Sequence, residues 1–384
     1  MKWLLRCTLG ELRSTLVVQL CHAMSMLRKS QALVLGRMHN FATSRTLQIL
    51  ACAIGVQCTW AAGEPQLVAS IPPPPESRAL LPTPLSNVVM VKVVDGRLNV
   101  PVGGWGGQRL IQAKTDAEKF RGYLRAVKQR GLNCVRPLFH PPNAAKPNDA
   151  EWARFDWEAM DQAVAMTQEE GLYFLVDYHN WLVNDTIHVH EQEWLQVWGW
   201  LANRYKNYGH LIFEGFNEPQ NQCACMSEHY QKWVNLMRSR GAQQLCVVSP
   251  FWGQYFSIKD PAANWAQCRH HYFSPQNSPS AEKGRGEADW QLANTSNKNS
   301  AAAVVQQFGC GFFMTEGGIE GKPKNETERV AEMAAVQRAI QICEQHGYGW
   351  CLWTHGDWAD GFDTYGVQIK ISMSYPLITG NAAR

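Results

Sequence analysis

Several kinds of chemistry are missing from this chain. No GxGxxG and no Walker-type Lys-Ser/Thr loop follows a strand-like run, so the signatures of phosphate-cradling open sheets are absent. Charge of one sign is scarce. The 36 Lys and Arg against 33 Asp and Glu leave +3, too weak a basic bias to argue for nucleic acid. No apolar run is long enough to cross a bilayer as a helix of the mature protein. The cysteines lack zinc spacing: Cys223 and Cys225 are one residue apart, which also makes a mutual disulfide difficult. Cys134, Cys246 and Cys351 fall inside apolar strand-like runs, where buried free thiols are common.

What is present begins with a leader. Arg45 to Glu64, "RTLQILACAIGVQCTWAAGE", has a positive flank, a short apolar run and small residues at Ala61 and Ala62. That is the pattern of a secretory signal cleaved near Ala61-Ala62, giving a secreted protein in the extracellular space or periplasm. Its distance from residue 1 makes Met24, Met26 or Met38 a better start, with residues 1–37 an upstream extension. An N-terminal extension and signal over 1–62 is therefore followed by a proline-rich segment over 63–86. Proline favours extended backbone there, which predicts a semi-rigid linker. A single folded domain is expected over 87–384.

That domain repeats one unit. A helix-like segment ends at Gly, four to six apolar residues follow, and a chemically capable residue comes next. The successive endings are Arg136, Asp177 with His179, Glu218, Trp252, Glu316 and Trp353. Glycine takes the left-handed C-terminal position of a helix cheaply. Short continuous apolar runs suit strands covered on both faces. Thr115 with Glu118, and Asn325 with Glu328, have capping-box spacing. A first strand near Leu98–Val102 and a sixth near Arg269–Phe273 bring the total to about eight, the rhythm of a (β/α)8 TIM barrel. "GGWGGQ" at Gly103–Gln108 reads as a loop after the first strand.

The chemistry concentrates at two carboxylates. Glu218 ends the fourth strand and Glu316 the seventh, positions that face each other across a barrel mouth. Carboxyl groups about 5–5.5 Å apart suit double displacement at a glycosidic carbon, one as nucleophile and one as proton donor. The two roles need different pKa values. Arg136 can hold Glu316 ionised as nucleophile. Glu218 then has the higher pKa and serves as acid, later as base. The Asn217 amide can bind a sugar 2-hydroxyl. Glu214 lies on the same face as Glu218, beneath the site, as structural support.

The motifs "RGLNCVRPLF", "LVDYHNW", "IFEGFNEP", "RHHYFSP", "FFMTEGG" and "WCLWTHGDW" resemble, in order, the strand-end motifs of glycoside hydrolase family 5, the cellulase family. The resemblance covers roughly residues 95–360. It implies an endo-β-1,4-glycosidase of endoglucanase type, with Glu218 as acid/base and Glu316 as nucleophile. Arg136, His179 and Asn217 match other active-site positions, and Trp353 matches the aromatic floor under the reacting sugar. The family's sixth-strand motif is His-x-Tyr. "RHHYFSP" offers His270-x-Tyr272, or His271 with Phe273 in the tyrosine place. The following Ser-Pro favours His271 as the site residue, with Tyr272 beside it. Trp181 and Trp252 lie just past apolar strands and are candidate sugar platforms, as is Trp358. Trp194, Trp198 and Trp200 have helix spacing and read as core.

The expected partner is a β-glucan polysaccharide, with mannan, mixed-linkage glucan and xyloglucan as alternatives. The chain is expected to act as a monomer, without metal or organic cofactor. Two other classes stand beside this reading. A metal-dependent barrel hydrolase would use Asp177, His179, His188 and His190. A carbohydrate-binding barrel would have lost catalysis.

Overall fold

The computed structural model describes residues 72–139, 155–179, 191–219, 225–250, 254–273, 280–319, 325–353 and 371–378. The chain divides into Met1–Pro65 and Gln66–Arg384, and every described residue belongs to the second unit. A small antiparallel hairpin, β1 (Val93–Val94) and β2 (Arg97–Leu98), precedes eight parallel strands. These are β3 (Gly103–Arg109), β4 (Cys134–Phe139), β5 (Tyr173–Tyr178), β6 (Leu211–Glu214), β7 (Cys246–Val248), β8 (Trp265–Phe273), β9 (Gly311–Ile319) and β10 (Gly349–Leu352). They pair in sequence order, and β10 closes on β3.

The helices between them are α1 (Gln112–Thr115), α2 (Ala117–Gln129), α3 (Trp157–Glu170), α4 (Glu191–Tyr205), α5 (Met226–Ser239), α6 (Ala281–Ala288), α7 (Ala301–Phe308) and α8 (Glu326–His346). A π-helical turn, Asp289–Ala293, follows α6. Gly171, Gly309 and Gly347 end α3, α7 and α8 in the left-handed conformation, as the helix-glycine-strand rhythm predicts. Asn325 caps α8 by accepting from the Glu328 amide. The other expected cap shifts by one residue. Asp116, not Thr115, caps α2, because the Thr115 hydroxyl is turned back onto the Ile111 carbonyl.

Two hydrophobic layers hold the barrel. One fills its interior and N-terminal end with Val91, Leu98, Val102, Leu175, Ile212, Val247 and Phe313, so the hairpin acts as a floor. The other packs strands against helices and holds most of the buried tryptophan.

The glycine-rich segment expected to be a loop is the first barrel strand, and Leu98–Val102 precedes it. The reason is space. A Cβ on Gly104 would lie 2.5 Å from the Cys134 carbonyl oxygen, and one on Gly103 2.7 Å from the Tyr375 ring. A Cβ on Gly106 would press the Trp353 indole at 3.0 Å. Glycine here admits neighbours rather than breaking the strand.

The proline-rich segment also departs from expectation over its described part. Residues 72–83 are not a free spacer but a strap bonded to α3 and α4. The Trp157 indole donates to the Pro72 carbonyl at 2.7 Å, and Arg204 donates to Pro75 and Ser77 at 2.9 and 2.8 Å. Tyr208 reaches Pro82, and Gln168 reaches Thr83. Extended backbone leaves its carbonyls unpaired, and these side chains satisfy them. No helix among the described residues is long and apolar enough to cross a membrane.

Candidate active site

Arg136, on the inward face of β4, organises the mouth of the barrel. It is fully buried, and its fork reaches three strands. Nε donates to Glu214 Oε2 at 2.7 Å, Nη1 to Glu316 Oε1 at 2.6 Å and Nη2 to Asn217 Oδ1 at 2.9 Å. Asp177 Oδ2 lies 3.0 Å from Nη2. One guanidinium thus meets the carboxylates of Glu214, Asp177 and Glu316; its single charge offsets part of theirs, with His270 beside Glu316 and His179 beside Asp177.

The turn after β6 places Asn217 and Glu218. Trp194 and Trp198 of α4 both donate their indole N–H to the Gly215 carbonyl, at 2.7 and 2.9 Å. These two tryptophans are core residues that also pin the chain just ahead of Asn217 and Glu218. Glu218 itself has φ +38°, in the left-handed region that side chains other than glycine seldom adopt. Its carboxylate is partly exposed, while that of Glu316 is buried.

Glu316 arrives by a local irregularity. Between β8 and β9 the pairing passes from Cys268↔Phe313 to His270↔Glu316, leaving one extra residue on β9. The bulge lets both Thr315 and Glu316 reach the interior groups: Thr315 donates to Glu214 Oε1 at 2.8 Å, and Glu316 meets Arg136.

The bulge also bears on the histidine register. His270 and Tyr272 both turn toward the carboxylates. His270 Nδ1 is 2.6 Å from Glu218 Oε1 and 3.3 Å from Glu316 Oε2, and the Tyr272 hydroxyl donates to Glu316 Oε2 at 2.5 Å. His271, favoured from the sequence, lies on the opposite face, buried, with Nε2 unpartnered. Phe273 shares that outer face, in the layer against the helices. Strand alternation decides this. Ala266 and Cys268 line the barrel interior, so the next inward positions are 270 and 272. The same count was available in the sequence.

His179 is fixed from behind by Asp177, whose Oδ2 lies 2.6 Å from Nδ1. Its ring stacks on the Trp353 indole with centroids 5.2 Å apart and planes 8° from parallel. The Arg136 guanidinium sits over the same indole at 5.7 Å. Trp353 is therefore held rigidly on one side of the mouth. Trp181, Trp252, Trp358, His188 and His190 lie outside the described residues.

The charges are strongly tuned. Burial pushes Glu316 up, but His270, Arg136 and His179, together with the Tyr272 hydroxyl, outweigh it and hold the carboxyl at about 2. Burial likewise pushes Glu218 up, and the His270 hydrogen bond and charge bring it below its ordinary value. The sequence assigned Glu218 the higher pKa of the two. In the substrate-free protein His270 draws Glu218 down as well, a contact that the choice of His271 concealed. Burial pushes His270 down, but Glu316 and Glu218 prevail and raise it. Tyr272 is held protonated by burial and by Glu316.

Glu218, His270 and Glu316 offer ligand atoms within 4.8 Å of one another, and so do Glu214, Cys268 and His270. The Asp177–His179 pair belongs to neither group; it is engaged with Arg136 and Trp353. Cys225 is disulfide-bonded, whereas Cys134, Cys246, Cys268, Cys310, Cys343 and Cys351 are buried free thiols.

The family described as Cellulase (glycosyl hydrolase family 5) matches residues 100–358, from just before β3 to just beyond β10. Endoglucanase A of Ruminococcus albus is 23% identical over 254 residues, covering 55% of this chain and 68% of that protein. Among solved structures, the cellulose synthase subunit Z of Clostridioides difficile superposes with TM-score 0.52 at 17% identity, covering 67% of this chain and 93% of that one. Thermotoga maritima Cel5A, solved in mutant form in complex with a cellobiose substrate, gives TM-score 0.52 at 16% identity over 70% and 96%. The structural likenesses speak for the barrel, and the family match spans every strand of it. This chain belongs to glycosyl hydrolase family 5 and is a glycoside hydrolase.

Proposed function

We propose that the chain is a retaining endo-β-1,4-glucanase, secreted after cleavage near Ala61-Ala62, in which Glu316 is the nucleophile and Glu218 the acid/base. The observation that carries this is the closeness of the two carboxylates, whose oxygens approach within 4.8 Å of each other beside His270. That separation suits direct attack by one carboxylate on the anomeric carbon. An inverting pair, about 6.5–9.5 Å apart, leaves room for a water between.

In the first step a Glu316 carboxylate oxygen attacks the anomeric carbon as the glycosidic C–O bond breaks. Glu218 delivers the proton it shares with His270 to the departing oxygen, which leaves as a sugar hydroxyl. The product is an ester between the sugar and Glu316. In the second step Glu218, now a carboxylate, takes a proton from water. The resulting oxygen attacks the same carbon and releases Glu316. Arg136 and Tyr272 stabilise the ionised nucleophile between turnovers. Asn217 and His179 border the place where sugar hydroxyls would lie, and Trp353 offers its face to the ring. Trp181 and Trp252 are assigned to outer sugar positions.

β-1,4-Glucan is favoured because Endoglucanase A of Ruminococcus albus is a relative. The test is hydrolysis of soluble β-glucan, mannan, mixed-linkage glucan and xyloglucan, with proton NMR of the first product. A β-anomer that mutarotates later is expected from β-glucan. An α-anomer at first appearance overturns retention. Cleavage of mannan alone overturns the substrate, and no cleavage by the wild-type protein leaves a binding barrel.

A further inference from the structure

The Glu218–His270 pair is not isolated, and the residue that controls it was silent in the sequence. Behind His270 the second ring nitrogen, Nε2, lies 3.1 Å from the Thr315 hydroxyl. That hydroxyl donates to Glu214 Oε1 at 2.8 Å. Glu214 is fully buried and accepts every hydrogen bond it makes: from Thr315 and the Cys268 thiol on Oε1, and from Arg136 on Oε2. Burial raises the Glu214 carboxyl against the charge and hydrogen bond of Arg136; with a donor on each oxygen it acts as the acceptor here, and the one hydrogen of Thr315 is then committed to it. A hydroxyl whose hydrogen is spent can only accept from Nε2. The Nε2 position must then carry a proton.

We propose that Thr315 is a positioning residue that locks the His270 tautomer with its proton on Nε2, and thereby keeps the shared proton between His270 Nδ1 and Glu218. This rests on the reading of Glu218 as acid/base. With Nε2 protonated, neutral His270 presents only a lone pair to Glu218. If Glu218 is also ionised, two acceptors face each other at 2.6 Å. A proton between them removes the conflict, so the pair holds it to higher pH than a freely tautomerising histidine would. Without Thr315, neutral His270 can move its hydrogen to Nδ1 and donate to ionised Glu218. The deprotonated pair is then stable, and the acid is lost earlier as pH rises.

The other groups around His270 do not supply this control. Glu316 from β9 lies on the Nδ1 side and favours a proton there in any tautomer. Arg136 from β4 opposes protonation through its charge. Tyr272 on the same strand bonds Glu316 Oε2, His179 just past β5 pairs with Asp177, and Cys268 bonds Glu214. Arg269, also on β8, donates to the Asn299 carbonyl, and buried His271 faces away. Thr315 is the hydroxyl on Nε2.

The experiment compares wild type with Thr315→Val, nearly equal in shape, and Thr315→Ser, which restores the hydroxyl. Nitrogen-15 NMR of the histidine rings in the substrate-free full-length protein reads the tautomer directly. The pH profile of kcat/KM on a soluble β-glucan reads the consequence. Wild type and Thr315→Ser should show the Nε2–H form above the pair's titration. Thr315→Val should show Nδ1–H and a basic limb lowered by about one pH unit, the size of one lost hydrogen-bond preference. An Nδ1–H tautomer in wild type overturns the proposal, and so does a Thr315→Val profile that drops in height without moving. If Thr315→Val does not fold, the wild-type and Thr315→Ser spectra still decide. Because the NMR readout needs no turnover, an inactive wild type with the Nε2–H form would sink the catalytic reading while leaving the tautomer lock in place.

Discussion

Arg136 Nη1 stands 2.6 Å from Glu316 Oε1, and both groups are shut away from water. Glu316 is thus kept ionised by His270 and by a buried guanidinium that also serves Glu214 and Asp177. Replacing Arg136 by Lys keeps one charge but loses the fork. Glu316, held at about 2, should then rise toward the ordinary carboxylate range. Since the proposed nucleophile acts ionised, the acidic limb of kcat/KM should move to higher pH. A limb that stays in place would show that Arg136 does not set this charge.

Tyr272 makes the same argument from the other oxygen. Its hydroxyl donates to Glu316 Oε2 at 2.5 Å. Tyr272→Phe should lower kcat by about ten-fold, the worth of one charge-assisted bond, and move the acidic limb upward as well. His271→Asn is the control. It should leave the pH profile unchanged, since His271 faces away from both carboxylates.

The role of Glu218 can be separated from that of Glu316 by leaving-group dependence. General acid catalysis contributes typically ~10²–10⁴-fold. Glu218→Ala should lose about that much on polysaccharide and far less on an aryl glycoside whose leaving group needs no proton. Glu316→Gln should lose activity on both. Equal losses for Glu218→Ala on the two substrates would contradict the assignment.

Acid sensitivity of the fold should have an identifiable contributor in His210. It is fully buried, Nε2 meets the Thr167 hydroxyl, and Nδ1 has no partner. Burial lowers it from 6.5 to about 3. Its folded value lies below the unfolded one, so between these limits the unfolded chain binds the extra proton. Stability falls as pH drops through that window, by up to ~1.4 kcal/mol per pH unit from this group. Urea melts of wild type and His210→Gln from pH 7 to 3.5 should converge toward acid. Parallel curves would exclude His210.

The strap over residues 72–83 should be part of the cooperative fold. Arg204 holds it through Pro75 and Ser77 while its other contacts go to buried Asp161. Arg204→Met leaves Asp161 with Tyr205 alone, and a broken buried pair costs ~3–5 kcal/mol. Deletion up to residue 86 should lower Tm as well. A deletion with unchanged Tm would return the segment to the status of a linker.

The barrel was legible because its rhythm is local: glycine at helix ends, short apolar runs, a polar residue after each. The misreadings arose where composition speaks of local preference and packing overrides it. Gly103, Gly104 and Gly106 look like a loop, yet each makes room for Tyr375, Cys134 or Trp353. The prolines before residue 83 look like a spacer, yet carbonyls of Pro72, Pro75 and Pro82 meet donors more than 80 residues away. Of the site, Arg136, His179, Asn217, Glu218, Glu316 and Trp353 were visible at strand ends, and the structure brings them together. The His270 register needed counting from Ala266 and Cys268. Thr315 carried no sequence signal, since its importance comes from the extra residue in β9 and from what lies across the barrel.

The backbone at Glu218 carries one further consequence. A side chain at φ +38° sits in a backbone shape that residues other than glycine seldom adopt. Glycine accepts that shape without steric cost, so Glu218→Gly should make the molecule sturdier while, on the proposed acid/base role, it removes the activity. On the proposed role of Glu218, turnover and durability pull in opposite directions at this position. A lineage released from the need to cut sugar would have reason to abandon the glutamate first.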